Sequence, residues 1–224
     1  MSAHSPQDLQ RIYESRFAGG LEYRRAVWRV LIADFFGRYL RPEQTVLDLG
    51  CGYGEFINQV PCARRFAMDL NPESARQLAP EVKLFPQDCA TPWPLTDSSL
   101  DVVFTSNFFE HLPDKASLGR TLDQIRRCLK PGGCLIALGP NIMHLPGRYW
   151  DFWDHHLPLT ENSLAEALET RGFGIELCLG KFLPHTMARG PRYPLTILRL
   201  YLRVPLAWRI LGKQFLVVAR TPQT

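Results

Sequence analysis

The sequence predicts an α/β protein with a mostly parallel sheet, helices on both faces, and a helical segment appended before the last strand. Two observations predict it. Short apolar runs bounded by turn residues alternate with stretches of helical periodicity along the 224 residues, the pattern that βα units laid side by side require. The second is the run Val46-Leu47-Asp48-Leu49-Gly50-Cys51-Gly52-Tyr53-Gly54-Glu55-Phe56, where an apolar strand ends in an acid and three glycines at alternate positions follow. Glycine is needed where a backbone turns sharply or approaches a ligand, because it has no Cβ to clash. Strand, glycine turn and helix start together form a cradle of backbone N–H groups. Taken alone, the same run also fits an ordinary glycine-rich βα loop.

The elements follow in order. Residues 22–40 place Val27, Val30, Leu31 and Phe35 at helical spacing with Asp34 facing out, and Arg41-Pro42 stops them. Strands are expected near 45–49, 65–69, 82–85, 100–105, 133–138, 174–179 and 214–220, and helices near 54–60, 73–79, 115–129 and 161–171. The last of these begins at Thr160, with Glu161 and Ser163 in its first turn and Arg171-Gly172 as its stop. Residues 194–204 form another helix, and Pro205 opens a short one containing Trp208. The whole reads as one domain, with a helical cap (1–41), a core (42–180), a basic insertion (181–213) and a final strand (214–220).

Composition fits a single globular enzyme domain, with 46% hydrophobic and 21% charged residues. The six cysteines are scattered without a C-x-x-C pair, so they read as free thiols in a reducing cytosol and not as a disulfide frame or zinc site. No apolar run reaches the ~20 residues that span a bilayer, and the N-terminal segment does not look like an export signal.

The glycine turn discriminates between nucleotide ligands. A dinucleotide fingerprint is G-x-G-x-x-G, but Glu55 stands where the third glycine belongs. Asp48 lies two residues before the first glycine, and like charges ~4 Å apart cost several kcal/mol in a partly buried site, so a pyrophosphate is disfavoured. The same carboxylate suits a ligand carrying an ammonium group.

At this point a family is recognisable. The run VLDLGCGYGEF resembles motif I of the class I S-adenosylmethionine-dependent methyltransferases of small molecules, and further matches follow in the expected order. Ala67-Met68-Asp69-Leu70-Asn71-Pro72 resembles the end of the second strand, whose acid, 21 positions after Asp48, accepts both ribose hydroxyls. Gln87-Asp88-Cys89 resembles the loop that addresses the adenine. Leu100 to Asn107 resembles the fourth strand, Phe108 to Leu112 the helix opening beyond it, and Leu129 to Ile136 the turn into the fifth. The resemblance covers roughly residues 40–180 plus the terminal strand. It implies a Rossmann-like seven-stranded sheet with the final strand antiparallel, and S-adenosyl-L-methionine as cofactor. It assigns Asp48, Gly50, Cys51, Gly52, Gly54, Asp69, Leu70, Asp88, Cys89 and Asn107 to that cofactor. Tyr13 to Phe17 would fold over its methionine end, with Gly19-Gly20 as hinge or linker.

Methyl transfer from a sulfonium is an in-line displacement, so it depends mainly on orientation and, for a hydroxyl acceptor, on removal of a proton. His111 is the candidate base because it follows the fourth strand at the carboxyl edge of the sheet; a structural histidine at a helix start is the competing reading. Glu110 reads as exposed or as a helix-start carboxylate. A second polar cluster after the fifth strand offers His144, Trp150, Asp151 and His155 to the acceptor, with Asp151, Asp154 and His155 as a weak metal alternative; no metal is expected. Tyr149, Trp150, Phe152 and Trp153 line a pocket or fill a core. The segment from Asp154 to Thr160, with Ser163-Leu164 and Gly172-Phe173, resembles methyltransferases of bacterial glycan and lipid biosynthesis.

Charge is uneven. All 22 acids fall at or before Glu176, and the last 48 positions hold eight lysines and arginines. Along the helix of residues 194–204, Arg192 just before it and Thr196, Arg199 and Arg203 within it share one side, and Leu195, Ile197, Leu198, Leu200, Leu202 and Val204 occupy much of the rest. Three readings compete for this insertion: a lid over the substrate pocket, an interfacial helix pair on anionic lipid, or a reader of an anionic substrate. Nucleic acid is not expected, since no aromatic residues interleave a basic groove. The expected activity is cytoplasmic methyl transfer to a small-molecule hydroxyl or amine, such as a glycan or sugar-derived acceptor. The alternatives are a lipid-linked or quinone-like acceptor at the inner membrane surface and, last, a non-catalytic cofactor-binding protein.

Overall fold

The computed structural model describes residue 11 and residues 19–145, 147–184 and 192–223, and all structural statements concern these. Tyr13 to Phe17 lie outside the described residues, as does Arg189 of the basic insertion. The chain forms a seven-stranded sheet in the order β3-β2-β1-β4-β5-β7-β6. Its strands are β1 (Thr45–Leu49), β2 (Arg64–Met68), β3 (Val82–Phe85), β4 (Leu100–Ser106), β5 (Leu129–Pro140), β6 (Gly174–Leu179) and β7 (Gln214–Arg220). Strands β3 to β5 pair in parallel around β1, and β7 runs antiparallel between β5 and β6.

Every residue of β1 is buried, as a strand covered on both faces must be. The alternation of side chains splits the core in two. Val46, Phe104, Ile136 and Val218 face one layer, with Val27, Leu31, Phe36 and Phe182. Leu47, Leu49, Val103, Leu135 and Val217 face the other, with Leu118, Leu122, Ile125, Leu164 and Leu168. The first layer is covered by α1 (Leu21–Asp34) and by the pair α5 (Leu195–Arg203) and α6 (Pro205–Leu211); the second is covered by α3 (Lys115–Cys128) and α4 (Glu161–Glu169). Helix α4 starts in a capping box, Thr160 accepting from Ser163 N–H (3.1 Å) and Ser163 Oγ accepting from Thr160 N–H (3.0 Å). It stops at Gly172, φ +76°, where Phe173 N–H reaches back to Leu168 O (3.2 Å).

Five expectations are corrected. Residues 54–60 are not a helix but a short series of turns. Gly54 sits at φ +70°, and the Asn58 side chain is committed to Gln77 O (2.9 Å) and Ala79 N–H (2.8 Å). The helix over 73–79 shrinks to α2 (Ser74–Gln77), because Pro80 disfavours helical backbone just before it. The α-helix within 22–40 ends at Asp34, and a 3-10 turn (Phe36–Tyr39) follows. Asp34 does not simply face solvent, since Arg199 of α5 approaches it to 3.3 Å. After β4 the chain makes only a 3-10 turn (Phe109–His111), and α3 begins later, capped by Asp114 on Ser117 N–H (2.6 Å).

Candidate functional site

The strand order reverses between β1 and β4, and ligands of open α/β sheets bind beyond the carboxyl ends of the strands at such a point. A cavity of about 1000 Å³ opens there. Its floor is the turn after β1, where Gly50, Gly52 and Gly54 adopt φ of +71°, +54° and +70°. A Cβ on Gly50 would lie 2.3 Å from the Phe108 ring, so both the conformation and the space demand glycine. Gly52 N–H donates to Asp69 Oδ2 and Asn71 N–H to Asp69 Oδ1, each at 2.8 Å. One carboxylate at the end of β2 thereby ties two turns together.

The cavity is acidic at this end, with Asp48, Glu55, Asp69 and Asp88 on its wall. Burial pushes the Asp48 carboxyl well above its ordinary value, with repulsion from Asp69 and Glu55 adding to it. Burial also raises Asp69 to about 6 against the lowering effect of its backbone donors. Each therefore resists ionisation, and a cationic ligand would offset that resistance. Arg24, buried on α1, pairs with Glu55 at 2.8 Å and donates to Gly19 O at 2.9 Å. The Cys51 and Cys89 thiols are raised chiefly by burial, Cys89 to about 12, so they remain protonated. Cys89 Sγ accepts from Thr121 Oγ1 (3.3 Å), and its carbonyl accepts from Trp93 Nε1 (2.9 Å). Asp88 Oδ1 takes Ala90 N–H (2.9 Å). Asn107, at φ +51°, accepts from Gln214 Nε2 (3.1 Å) at the end of β7.

Across the cavity lies an imidazole with a fixed orientation. His111 Nδ1 is 2.8 Å from Asp154 O and 3.2 Å from Asp154 Oδ2. A carbonyl oxygen only accepts, so Nδ1 carries the hydrogen and Nε2 is the basic nitrogen. Glu110 Oε1 is 4.0 Å from Nε2, and the His155 ring packs edge-on to His111 with centroids 5.1 Å apart. Glu110 is buried, not exposed, because the chain from His156 to Leu157 folds over it and donates two backbone N–H groups to its carbonyl (2.8 and 3.0 Å). Phe152 stacks on His155 at 4.8 Å.

The cavity gathers His111 and His155 with Asp48, Gly50, Cys51, Gly52, Asp69, Leu70, Asp88, Cys89 and Asn107. Gly54 instead packs against Leu78 and Asn58 outside it. His144, Trp150 and Asp151 do not line the cavity. Burial, helped by Lys181, lowers the His144 imidazole; Trp150 is exposed, and Asp151 lies 4.0 Å from Arg148 at the surface. Tyr149 is core, its hydroxyl on Leu157 O (2.6 Å), and Trp153 is exposed. Asp154, expected only as a weak metal ligand, and Glu110, expected as an exposed or helix-start carboxylate, join the site beside His111. The metal alternative shifts as well. Ligand atoms of Glu110, His111 and His155 lie within 4.8 Å of one another and could hold an ion, whereas Asp151 lies apart from them.

The rest of the cavity is apolar. Trp28 of α1 meets Phe104 and Phe56 edge-on at 5.6 and 5.8 Å, and those two rings stack at 3.7 Å. Val27, Leu31, Leu183, Ile197, Leu198, Tyr201 and Leu211 continue this wall outward along α1, α5 and α6.

Comparison with known proteins adds to this geometry. Residues 47–137 match a family described as a methyltransferase domain. A probable S-adenosylmethionine-dependent methyltransferase of Mycolicibacterium smegmatis is 34% identical over 144 residues, covering 61% of this chain and 54% of that protein. The 2-methyl-6-phytyl-1,4-hydroquinone methyltransferase of a Synechocystis species is 28% identical over 153 residues, covering 59% and 47%. The chain thus spans about half the length of the curated relatives it matches. Among solved structures, a SAM-dependent methyltransferase from Archaeoglobus fulgidus superposes with a TM-score of 0.66 at 21% identity, covering 94% of this chain and 99% of that one. That likeness concerns the fold.

Proposed function

We propose that the protein is a class I S-adenosylmethionine-dependent methyltransferase that transfers a methyl group to a hydroxyl of a small molecule, with His111 as base; the methyltransferase-domain match over residues 47–137 and the methyltransferase relatives support this reading. The observation that carries this reading is His111 itself: its Nδ1 is locked on Asp154, and it shares one cavity with the acidic glycine cradle. The cofactor of the family fits that cradle, because two buried carboxyls that resist ionisation suit a ligand bearing sulfonium and ammonium charge. When bound, S-adenosylmethionine supplies an electrophilic methyl group on sulfur. Asp69 would hold the ribose hydroxyls, Asp88 and the Cys89 backbone the adenine, and Asp48 the charged methionine end.

His111 Nε2 would take the acceptor proton as the acceptor oxygen bonds the methyl carbon and the sulfur–methyl bond breaks, its electron pair returning to sulfur to leave S-adenosylhomocysteine. Asp154, acid-side neighbour of Nδ1, and buried Glu110 then stabilise the imidazolium. The aromatic wall of Trp28, Phe56 and Phe104 excludes water from this half of the cavity. An amine acceptor is accommodated by the same base. A lipid-linked or quinone-like acceptor is the second reading, favoured by the long apolar wall along α1 and α5 and by the hydroquinone-named relative.

Calorimetric titration with S-adenosylhomocysteine and with NAD tests the cofactor. Micromolar-range affinity, about −8 kcal/mol, is expected for the first and none for the second. Transfer of label from methyl-labelled S-adenosylmethionine to a panel of phenols, sugar nucleotides and primary amines tests the reaction. NAD binding without a response to S-adenosylhomocysteine would overturn the proposal.

A further inference from the structure

Helices α5 and α6 present an unusual outer surface. Their inward positions are filled by Leu195, Leu198, Tyr201, Leu202 and Trp208, with Tyr201 hydroxyl on Phe182 O and Trp208 Nε1 on Tyr201 O (2.8 Å). A lid of ordinary design would then be polar outside. Instead Ile197, Leu200, Val204, Leu206, Ile210 and Leu211 are all exposed, Leu200 at 64% and Ile210 at 68%. Scattered apolar residues need no explanation, but a contiguous cluster on two consecutive helices marks an interaction surface. Ile197 and Leu211 belong to both this patch and the cavity wall, so the patch adjoins the cavity.

We infer that α5 and α6 dock the protein on an anionic lipid surface, so that the cavity opens into it. Charge chooses this occupant. Arg192, Arg199, Arg203, Arg209 and Lys213 are exposed around the patch, and residues 177–224 contain no acid. Asp34 engages Arg199 alone among these, at 3.3 Å. A second copy docked through the same surface would set these cations against their own kind, whereas headgroup phosphates would neutralise them. Interleaved arginine and leucine side chains also match the interfacial depth, apolar stems inward and guanidinium heads at the phosphates. An acceptor dissolved in the lipid would then reach His111 along the apolar wall without crossing water. That last step rests on the methyl-transfer proposal; the docking does not.

The test is co-sedimentation with phosphatidylcholine vesicles with and without phosphatidylglycerol, at low salt and at ~1 M salt, where the Debye length falls to about 3 Å. Two variants are compared with wild type. Arg203→Gln/Arg209→Gln removes two cations, and Leu200→Glu/Ile210→Glu spoils the apolar patch; none of the four residues lines the cavity. Wild type should bind the anionic vesicles at low salt only. The glutamine variant should bind roughly 30-fold more weakly, at about one kcal/mol per cation, and the glutamate variant not at all. Affinity for S-adenosylhomocysteine should be unchanged in both, which shows them folded and reads the cofactor site separately from the docking. Absence of wild-type binding, or equal binding to both vesicles, overturns the inference. So does a dimer in light scattering that the glutamate variant dissolves, which would make the patch an interface between copies.

Discussion

Replacing Asp69 with alanine separates two effects that the structure combines in one carboxylate. At the end of β2 its oxygens accept Gly52 N–H and Asn71 N–H, each at 2.8 Å, and burial raises it from 3.8 to about 6. The sign follows from that direction. The folded protein without ligand holds this proton more tightly than the unfolded chain does, by about 3 kcal/mol for roughly two pH units. The group therefore favours the fold at low pH, and this contribution is lost as pH rises between about 4 and 6. Ribose hydroxyls need the ionised carboxylate as acceptor, so binding runs the other way. Affinity for S-adenosylhomocysteine should be level above pH ~7 and fall by up to tenfold per unit below ~6. In Asp69→Ala, water from the adjoining cavity can reach the two amides, while the ligand loses its charge-assisted bonds. That loss should cost about 2–3 kcal/mol, roughly 30- to 150-fold in affinity at pH 7.5. The variant's pH dependence should also be shallower, because one buried carboxyl no longer has to ionise for the ligand to bind. Calorimetry on both proteins from pH 7.5 to 5 measures all of this. Equal affinities at pH 7.5, or parallel pH slopes, would refute the argument.

Three further predictions concern the rest of the site. His111→Gln should lower kcat by about 10²- to 10⁴-fold and Asp154→Asn by roughly 30- to 150-fold, both leaving affinity for S-adenosylhomocysteine intact; a change confined to KM would show that the imidazole only binds. Gly50→Ala must place a Cβ 2.3 Å from Phe108 at φ +71°, so a stability loss of about 2–5 kcal/mol is expected, read as the midpoint of urea unfolding; a midpoint equal to that of wild type would contradict the turn geometry. Treatment with EDTA should leave turnover unchanged, whereas loss restored by magnesium or manganese would make Glu110, His111 and His155 a metal site.

What the sequence determined by itself is local. Strands β1, β3, β6 and β7 begin and end where their apolar runs predict, because a strand's hydrophobic pattern is written in consecutive residues. The caps of α4 were equally legible, since Thr160, Ser163 and Gly172 act within a few positions of one another. The glycine cradle announced itself by spacing, and Asp48 by a charge in an otherwise apolar strand. Tertiary structure decided the rest. The expected helix at 54–60 gave way because Asn58 is bonded to the backbone of residues 77 and 79, about twenty positions on. Glu110 became buried because residues 156 and 157 cover it, and the His111 imidazole became oriented because Asp154, 43 residues away, fixes its tautomer. His144, Trp150 and Asp151 are neighbours of that chemistry in sequence but not in space, since the loop turns them away from the cavity. The apolar residues of α5 occupy much of the helix in sequence, and the fold divides them between core and surface. Periodicity reports which residues share a side of a helix; only packing against α1 and the core decides which sides are covered.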